Sequence, residues 1–296
     1  MKPLPTRIAA GEAPSMPAGG PVLEVRALQV ALPADADRPH AIERLDVRIE
    51  AGRTLCIVGE SGSGKSVLAT TVMALLAKGL TITAGDIVLA GEALLTHGKY
   101  LPEKRLRALR GQVMGMVFQE PMTALNPVLS CGEQVDELLR NHTTLTPAER
   151  KARILQVFER VRLPDPQRIF SSYPHQLSGG QRQRIVIAMA IILKPRLLIC
   201  DEPTTALDVT TQAEILKLIA ELQQEQGSAV LFITHDMGVV AEIADEVMVM
   251  HRGKVVEQGP REQVLRSPRE DYTRMLLAAV PGMVPPPPRE LPGGPA

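Results

Sequence analysis

The chain has no tryptophan, four Phe and three Tyr in 296 residues, and the first of these rings is Tyr100. A platform for stacking bases on aromatic side chains is therefore missing from the first third of the sequence. An excess of charge of one sign is missing too. With 33 basic and 33 acidic residues, a bulk electrostatic grip on nucleic acid is excluded. The cysteines, Cys56, Cys131 and Cys200, are isolated, with no C-x-x-C pair. Neither a zinc site nor a disulfide framework is suggested, and a reducing compartment is the natural setting. The longest strongly apolar run, Ile185 to Leu193, stops at Lys194-Pro195. It falls well short of the roughly 20 residues a membrane helix requires, so any work at a membrane calls for another chain to cross it. Residues 1–21 are rich in Pro, Ala and Gly without a continuous apolar stretch. That excludes a secretory signal and predicts a disordered lead-in.

What is present is ample material for a core, with apolar residues at 45%. In Leu45, Val47 and Ile49 apolar residues alternate with Asp46, Arg48 and Glu50, the period of a half-buried strand. Leu28, Val30 and Leu32 keep the same period, and Pro33 to Pro39 reads as a loop. Buried strands are expected at 54–58, 86–90, 112–118, 197–201, 229–234 and 247–250, and helices at about 65–77, 180 onward, 211–226 and 237–244. Residues 120–178 read as helical. Thr146-Pro147-Ala148-Glu149 is a helix start, and Leu155, Phe158 and Val161 give the following helix one apolar face. Strands alternating with helices predict a parallel sheet with crossover connections. The chain closes on a Pro-rich stretch, 281–296, expected as an extended tail or a linker.

Gly59-Glu60-Ser61-Gly62-Ser63-Gly64-Lys65-Ser66, followed by Val67, is a P-loop placed between a strand and a helix. Glycines let backbone N–H groups turn inward around phosphate oxygens, and the helix start adds partial positive charge. Lys65 is positioned for the β- and γ-phosphates and the Ser66 hydroxyl for Mg²⁺. Arg196-Leu197-Leu198-Ile199-Cys200-Asp201-Glu202 is an apolar strand ending in two carboxylates. Asp201 suits Mg²⁺, and Glu202 suits the polarisation of a water. Leu177-Ser178-Gly179-Gly180-Gln181 opens a second long helix with a second phosphate-type turn. One nucleotide uses both cradles only if they meet in space.

These motifs, with Thr234-His235-Asp236, resemble the nucleotide-binding subunit of ABC transporters over about residues 22–260. The resemblance implies an α/β fold: a P-loop NTPase (RecA-like) core, an antiparallel β subdomain and an inserted helical subdomain at about 120–178. The ATPase domain is then 22–266, with a helical extension at 267–280. It implies ATP and Mg²⁺ as ligands, with Ser66, Gln119 and Asp201 at the metal. Glu202 and His235 become the catalytic pair. Ser178, Gly179, Gly180 and Gln181 are offered to the ATP of a second ATPase subunit, identical or a paralogue, packed head to tail. Ala206-Leu207-Asp208 resembles the loop that touches that subunit. The further partners implied are two membrane permease subunits and, indirectly, a substrate-binding protein, with no nucleic acid. The implied location is peripheral, on the cytoplasmic face of the cell membrane. Phe118 to Pro127, Tyr173 to Gly180, Asp201 to Asp208 and Tyr272 to Pro281 are similar to the branch importing di- and oligopeptides, glutathione and nickel.

The sequence departs from the family in two places. Where an aromatic ring usually stacks on adenine stands Leu32, with His40 as an auxiliary or no stacker at all. Loss of a ring contact is worth about 0.5–1.5 kcal/mol, so a Leu32→Tyr variant is expected to bind ATP more tightly in a titration. The cysteine cluster that some branch members carry after the core has no counterpart beyond Cys200. Two rivals stay open. A P-loop kinase or GTPase is opposed by the Ser178 motif and by the lack of an Asn-Lys-x-Asp guanine reader. An ABC protein acting on DNA or ribosomes would bring nucleic acid, not membrane proteins, from a pulldown.

Overall fold

The computed structural model describes residues 20–119, 124–205 and 207–280. Most of the expected lead-in, the Pro-rich stretch, residues 120–123 and Ala206 lie outside the described residues. One eleven-stranded sheet runs through the molecule in the order β6-β5-β4-β1-β2-β11-β10-β3-β9-β8-β7. β1 (Leu23–Ala31), β2 (His40–Ile49), β4 (Thr81–Leu89), β5 (Glu92–Thr96) and β6 (Lys99–Tyr100) form an antiparallel half. β10 (Glu246–His251), β3 (Thr54–Val58), β9 (Ala229–Thr234), β8 (Leu197–Asp201) and β7 (Met114–Val117) form a parallel half. The antiparallel β11 (Lys254–Pro260) borders it and meets β2 at Lys254↔Arg44.

β3, β8 and β9 are buried along their whole length, as parallel strands covered on both faces must be. Their continuous apolar runs are what made them legible. α1 (Lys65–Val72) stops five residues short of the expected Ala77. Ala74 turns to a positive φ of 52°, and the Arg110 guanidinium donates to the freed carbonyls of Met73 and Ala74 at 3.0 and 2.9 Å. A cation at a helix C-terminus satisfies both the orphan acceptors and the dipole. Arg110 sits just after α2 (Glu103–Leu109).

The helical layer comprises α3 (Cys131–His142), α4 (Pro147–Arg160), α5 (Pro166–Ser171) and α6 (Gly179–Ile191). Thr146 and Glu149 close the expected capping box at the start of α4. The buried face of α4 runs through Ile154 and Phe158 to Val161, whereas Leu155 lies half-buried beside it. This shifts the first position of the predicted stripe by one residue. The remaining helices are α7 (Val209–Gln226), α8 (Met237–Ile243), α9 (Arg261–Arg266) and α10 (Asp271–Ala278).

Candidate functional site

The register of the parallel half brings the chemistry to one edge. Val58 pairs with Thr234, and Asp201 with Ile233. The ends of β3, β9 and β8 therefore lie side by side, where ligands of parallel α/β sheets bind. The P-loop leaves the end of β3. Gly59 has φ 153°, and a Cβ there would fall 2.0 Å from the Met250 carbonyl oxygen. Gly64, at φ 106°, would meet the Ala41 carbonyl oxygen at 2.4 Å. Both are close backbone approaches that only glycine permits.

Lys65 is 4% exposed. Its Nζ donates to the Gly59 and Glu60 carbonyls at 2.7 and 2.8 Å, and burial pulls its pKa down. The ammonium is thus held inside the loop, facing the cradle. Arg38, from the loop between β1 and β2, donates through Nη2 to the Gly62 carbonyl and through Nε to the His40 carbonyl at 3.2 Å. Sequence reasoning looked to Leu32 and His40 here and passed over Arg38. Leu32 lies just beyond β1, half-buried, with its N–H on the Pro39 carbonyl at 2.9 Å. Val67 is half-buried against the adjoining core.

Ser66 Oγ donates to Asp201 Oδ1 at 2.9 Å. A hydroxyl and a carboxylate make a hard-oxygen pair. That set suits Mg²⁺, which keeps several waters and takes its other ligands from substrate phosphates. Gln119, two residues past β7, points elsewhere. Its Nε2 donates to Glu202 Oε2 at 3.3 Å, so in this state it joins the Glu202 cluster and not the Ser66–Asp201 pair.

Burial raises the Asp201 pKa. The native chain therefore holds that proton more tightly than the unfolded chain. The group's contribution to stability is full below the ordinary carboxylate pKa and is lost as pH rises through the raised value. At neutral pH and above the ionised carboxylate costs folding free energy. Asp201→Asn removes that cost, and its amide oxygen can still accept from Ser66. The expected result is a higher thermal midpoint for the nucleotide-free chain at pH 8, by roughly 2–4 °C per kcal/mol relieved, with the gain shrinking toward acid pH. Scanning calorimetry across pH reads this directly.

Glu202 takes φ 45°, a left-handed conformation that costs a non-glycine residue roughly 1–2 kcal/mol. Strain of this kind collects at working sites. Its N–H donates to the Ile233 carbonyl at 2.9 Å, and three side chains converge on Oε2. They are Gln119, Thr205 Oγ1 at 3.0 Å and His235 Nδ1 at 3.2 Å. The Glu202 side chain is only 14% exposed, whereas His235 stays 60% exposed. A carboxylate gathered in this way can orient and deprotonate a water at the open end of β8. Thr205 escaped the sequence reading, because one hydroxyl three residues past a carboxylate carries no pattern.

The Ser178 turn is built differently. Ser178 N-caps α6, its Oγ accepting from Gln181 N–H at 3.3 Å while Gln181 Oε1 accepts from Ser178 N–H at 3.0 Å. Ser178 and Gly179 are exposed, and a Cβ on Gly179 would meet nothing within 4 Å. Among the described residues this turn makes no hydrogen bond to the P-loop of its own chain. Beside it, a Cβ on Gly180 would come 3.0 Å from Thr211 Cγ2. Thr211 belongs to the first turn of α7, whose N-cap is Asp208, accepting Thr211 N–H at 2.9 Å. That bond holds the Asp208 carboxyl below its ordinary pKa. Val209, next in line, is 85% exposed.

With this geometry in hand, comparison with known proteins is decisive. The sequence profile described as ABC transporter matches residues 42–205. The chain belongs to the ABC transporter family. The ABC chain is 49% identical over 269 residues to the glutathione import ATP-binding protein GsiA of Escherichia coli, covering 88% of itself and 42% of that protein. It thus spans under half the length of the GsiA relatives it matches. It is 47% identical over 263 residues to BOV_A0348 of Brucella ovis, whose name assigns it to peptide import, covering 88% of itself and 78% of that protein. Among solved structures, the ABC fold is shared with cbiO1 from Clostridium perfringens, part of the transporter complex cbiONQ (TM-score 0.69, 29% identity, 83% of this chain and 90% of that one). It is shared also with the dimeric ATP-binding cassette MJ0796 in a post-hydrolysis state with ADP and Pi (TM-score 0.70, 27% identity, 81% and 98%). The expected P-loop core with its antiparallel and helical additions is the fold of these cassettes. Among the described residues no helix is long and apolar enough to cross a membrane.

Proposed function

We propose that this chain binds and hydrolyses ATP as the engine of an importer for peptides or related small solutes. It works as a head-to-tail pair of ATPase subunits on the cytoplasmic side of the membrane and drives separate permease subunits. The observation that carries the reading is the split between two cradles. The P-loop, Asp201 and Glu202 form one site, while the Ser178 turn stands open at the surface with no use in its own chain. A second subunit supplies the missing half. The peptide-import component rests on the names of the relatives, and the dimer on the paired state of MJ0796.

In this reading the N–H groups of Ser61 to Ser66 and the Lys65 ammonium hold the triphosphate. Ser66 and Asp201 would hold Mg²⁺, and Gln119 would join them on leaving Glu202. The ion, when bound, neutralises charge on the β- and γ-phosphates. Glu202 orients and deprotonates the attacking water, and His235, displaced from Glu202, donates to the γ-phosphate. Ser178, Gly180 and Gln181 of one subunit close over the nucleotide of the other. Their separation after hydrolysis moves the helical layer against the membrane partners. Pulldown of the tagged chain from solubilised membranes is the test. Polytopic permeases in the eluate and ATP turnover in the same fraction are expected. Recovery of ribosomes or DNA without membrane proteins would reject transport.

A further inference from the structure

The peptide joining Gly59 to Glu60, at the head of the P-loop, is held on both sides. Its carbonyl, that of Gly59, accepts from Lys65 Nζ at 2.7 Å, and its N–H, that of Glu60, donates to Tyr272 Oη at 3.2 Å. Tyr272 belongs to α10 and lies 212 residues further along the chain. Its ring stacks on His251, with centroids 4.2 Å apart and planes at 23°. His251 ends β10 at a tight turn, and Gly253 in that turn donates its N–H to the Ser63 carbonyl at 2.9 Å. The stack therefore stands on a turn that grips the same loop at a second point.

The helix carrying Tyr272 is fixed independently. Glu257, on β11 and 6% exposed, accepts the N–H groups of Arg269 and Glu270 at 2.8 and 3.2 Å. Leu277 is buried in the core beneath the parallel half, and Thr273 is fully buried. Two rigid attachments, one at each end of the stack, make a bracket around the first half of the P-loop.

We propose that Tyr272 is a positioning residue for nucleotide binding. Its hydroxyl fixes the Gly59–Glu60 peptide so that the Gly59 carbonyl faces Lys65, and the ammonium is set in the cradle before ATP arrives. This rests on the reading of Lys65 as a phosphate-binding group. Preorganisation of this kind acts on affinity and leaves the chemical step alone. It also gives the residues after the ATPase domain a task within the site itself.

Tyr272→Phe removes the hydroxyl and keeps the ring on His251. Loss of one hydrogen bond predicts an ATP KM higher by about three- to tenfold, with kcat within about twofold. The thermal midpoint should fall by no more than a few degrees. Amide hydrogen exchange in the nucleotide-free protein should be faster in the peptide spanning Gly59 to Gly64. His251→Ala, which removes the other side of the stack, should raise KM in the same sense, and the double variant should be less than additive. A Tyr272→Phe protein with wild-type exchange in that peptide overturns the proposal, as does a fall in kcat at constant KM. If the wild-type chain fails to hydrolyse ATP, the ATPase reading falls, while the exchange comparison still decides whether Tyr272 holds the loop.

Discussion

Glu202→Gln is expected to lower ATP turnover by about 10²- to 10⁴-fold, the range for loss of a general base, while ATP binding survives. The asymmetry follows from the cluster around this side chain. Gln119, Thr205 and His235 all meet at Oε2, and a glutamine in the same place still offers one oxygen to those neighbours. Geometry is largely kept and the capacity to take a proton is lost. With hydrolysis blocked, the nucleotide should hold two chains together, so size-exclusion chromatography in ATP should resolve a dimer for the variant and a smaller dimer fraction for the wild type. Near-normal turnover by this variant would remove Glu202 from the chemistry. A normal rate with a lost dimer would point to a contact role instead.

Lys65→Ala is expected to weaken ATP binding by about 30-fold to several thousand-fold, the consequence of deleting a buried charge partner worth roughly 2–5 kcal/mol. The side chain is nearly inaccessible, and its two hydrogen bonds run to the Gly59 and Glu60 carbonyls. Its removal therefore both vacates the phosphate position and loosens the loop. Alanine is a strong helix former at the start of α1, so the fold should persist. Circular dichroism should match wild type while titration with a fluorescent ATP analogue shows the loss. An affinity within threefold of wild type would mean that the phosphates are held elsewhere.

Most of this site was readable in the sequence because its parts are local. A strand, a glycine loop and a helix lie consecutively at 54–72, and an apolar strand runs straight into Asp201 and Glu202. The capping box at Thr146 with Glu149 was visible in the sequence, and the structure adds a second at Ser178 with Gln181. What escaped is non-local or chemically quiet. The Tyr272–Glu60 bond joins residues 212 positions apart in the chain, and Arg38 reaches Gly62 across 24 residues. Gln119 lies two residues past the end of β7, and only three-dimensional placement pairs it with Glu202. The first half of β4, Thr81 to Gly85, is mostly solvent-facing. Its apolar residues, Ile82 and Ala84, alternate with threonine but bury little surface, so the strand was read only from its buried second half.

α6 begins at the exposed Ser178 turn and is then buried at eight of its residues, from Gln183 through Ile191. Thirteen helical residues span about 20 Å. Such an element is a strut with a free tip and a clamped shaft. A pull on the tip cannot be absorbed where it is applied, because close-packed side chains around the shaft leave no slack. A pull on Ser178 would be passed along the shaft to the elements packed on it, α3, α4 and β7, turning a contact a few atoms wide into a load on a larger body.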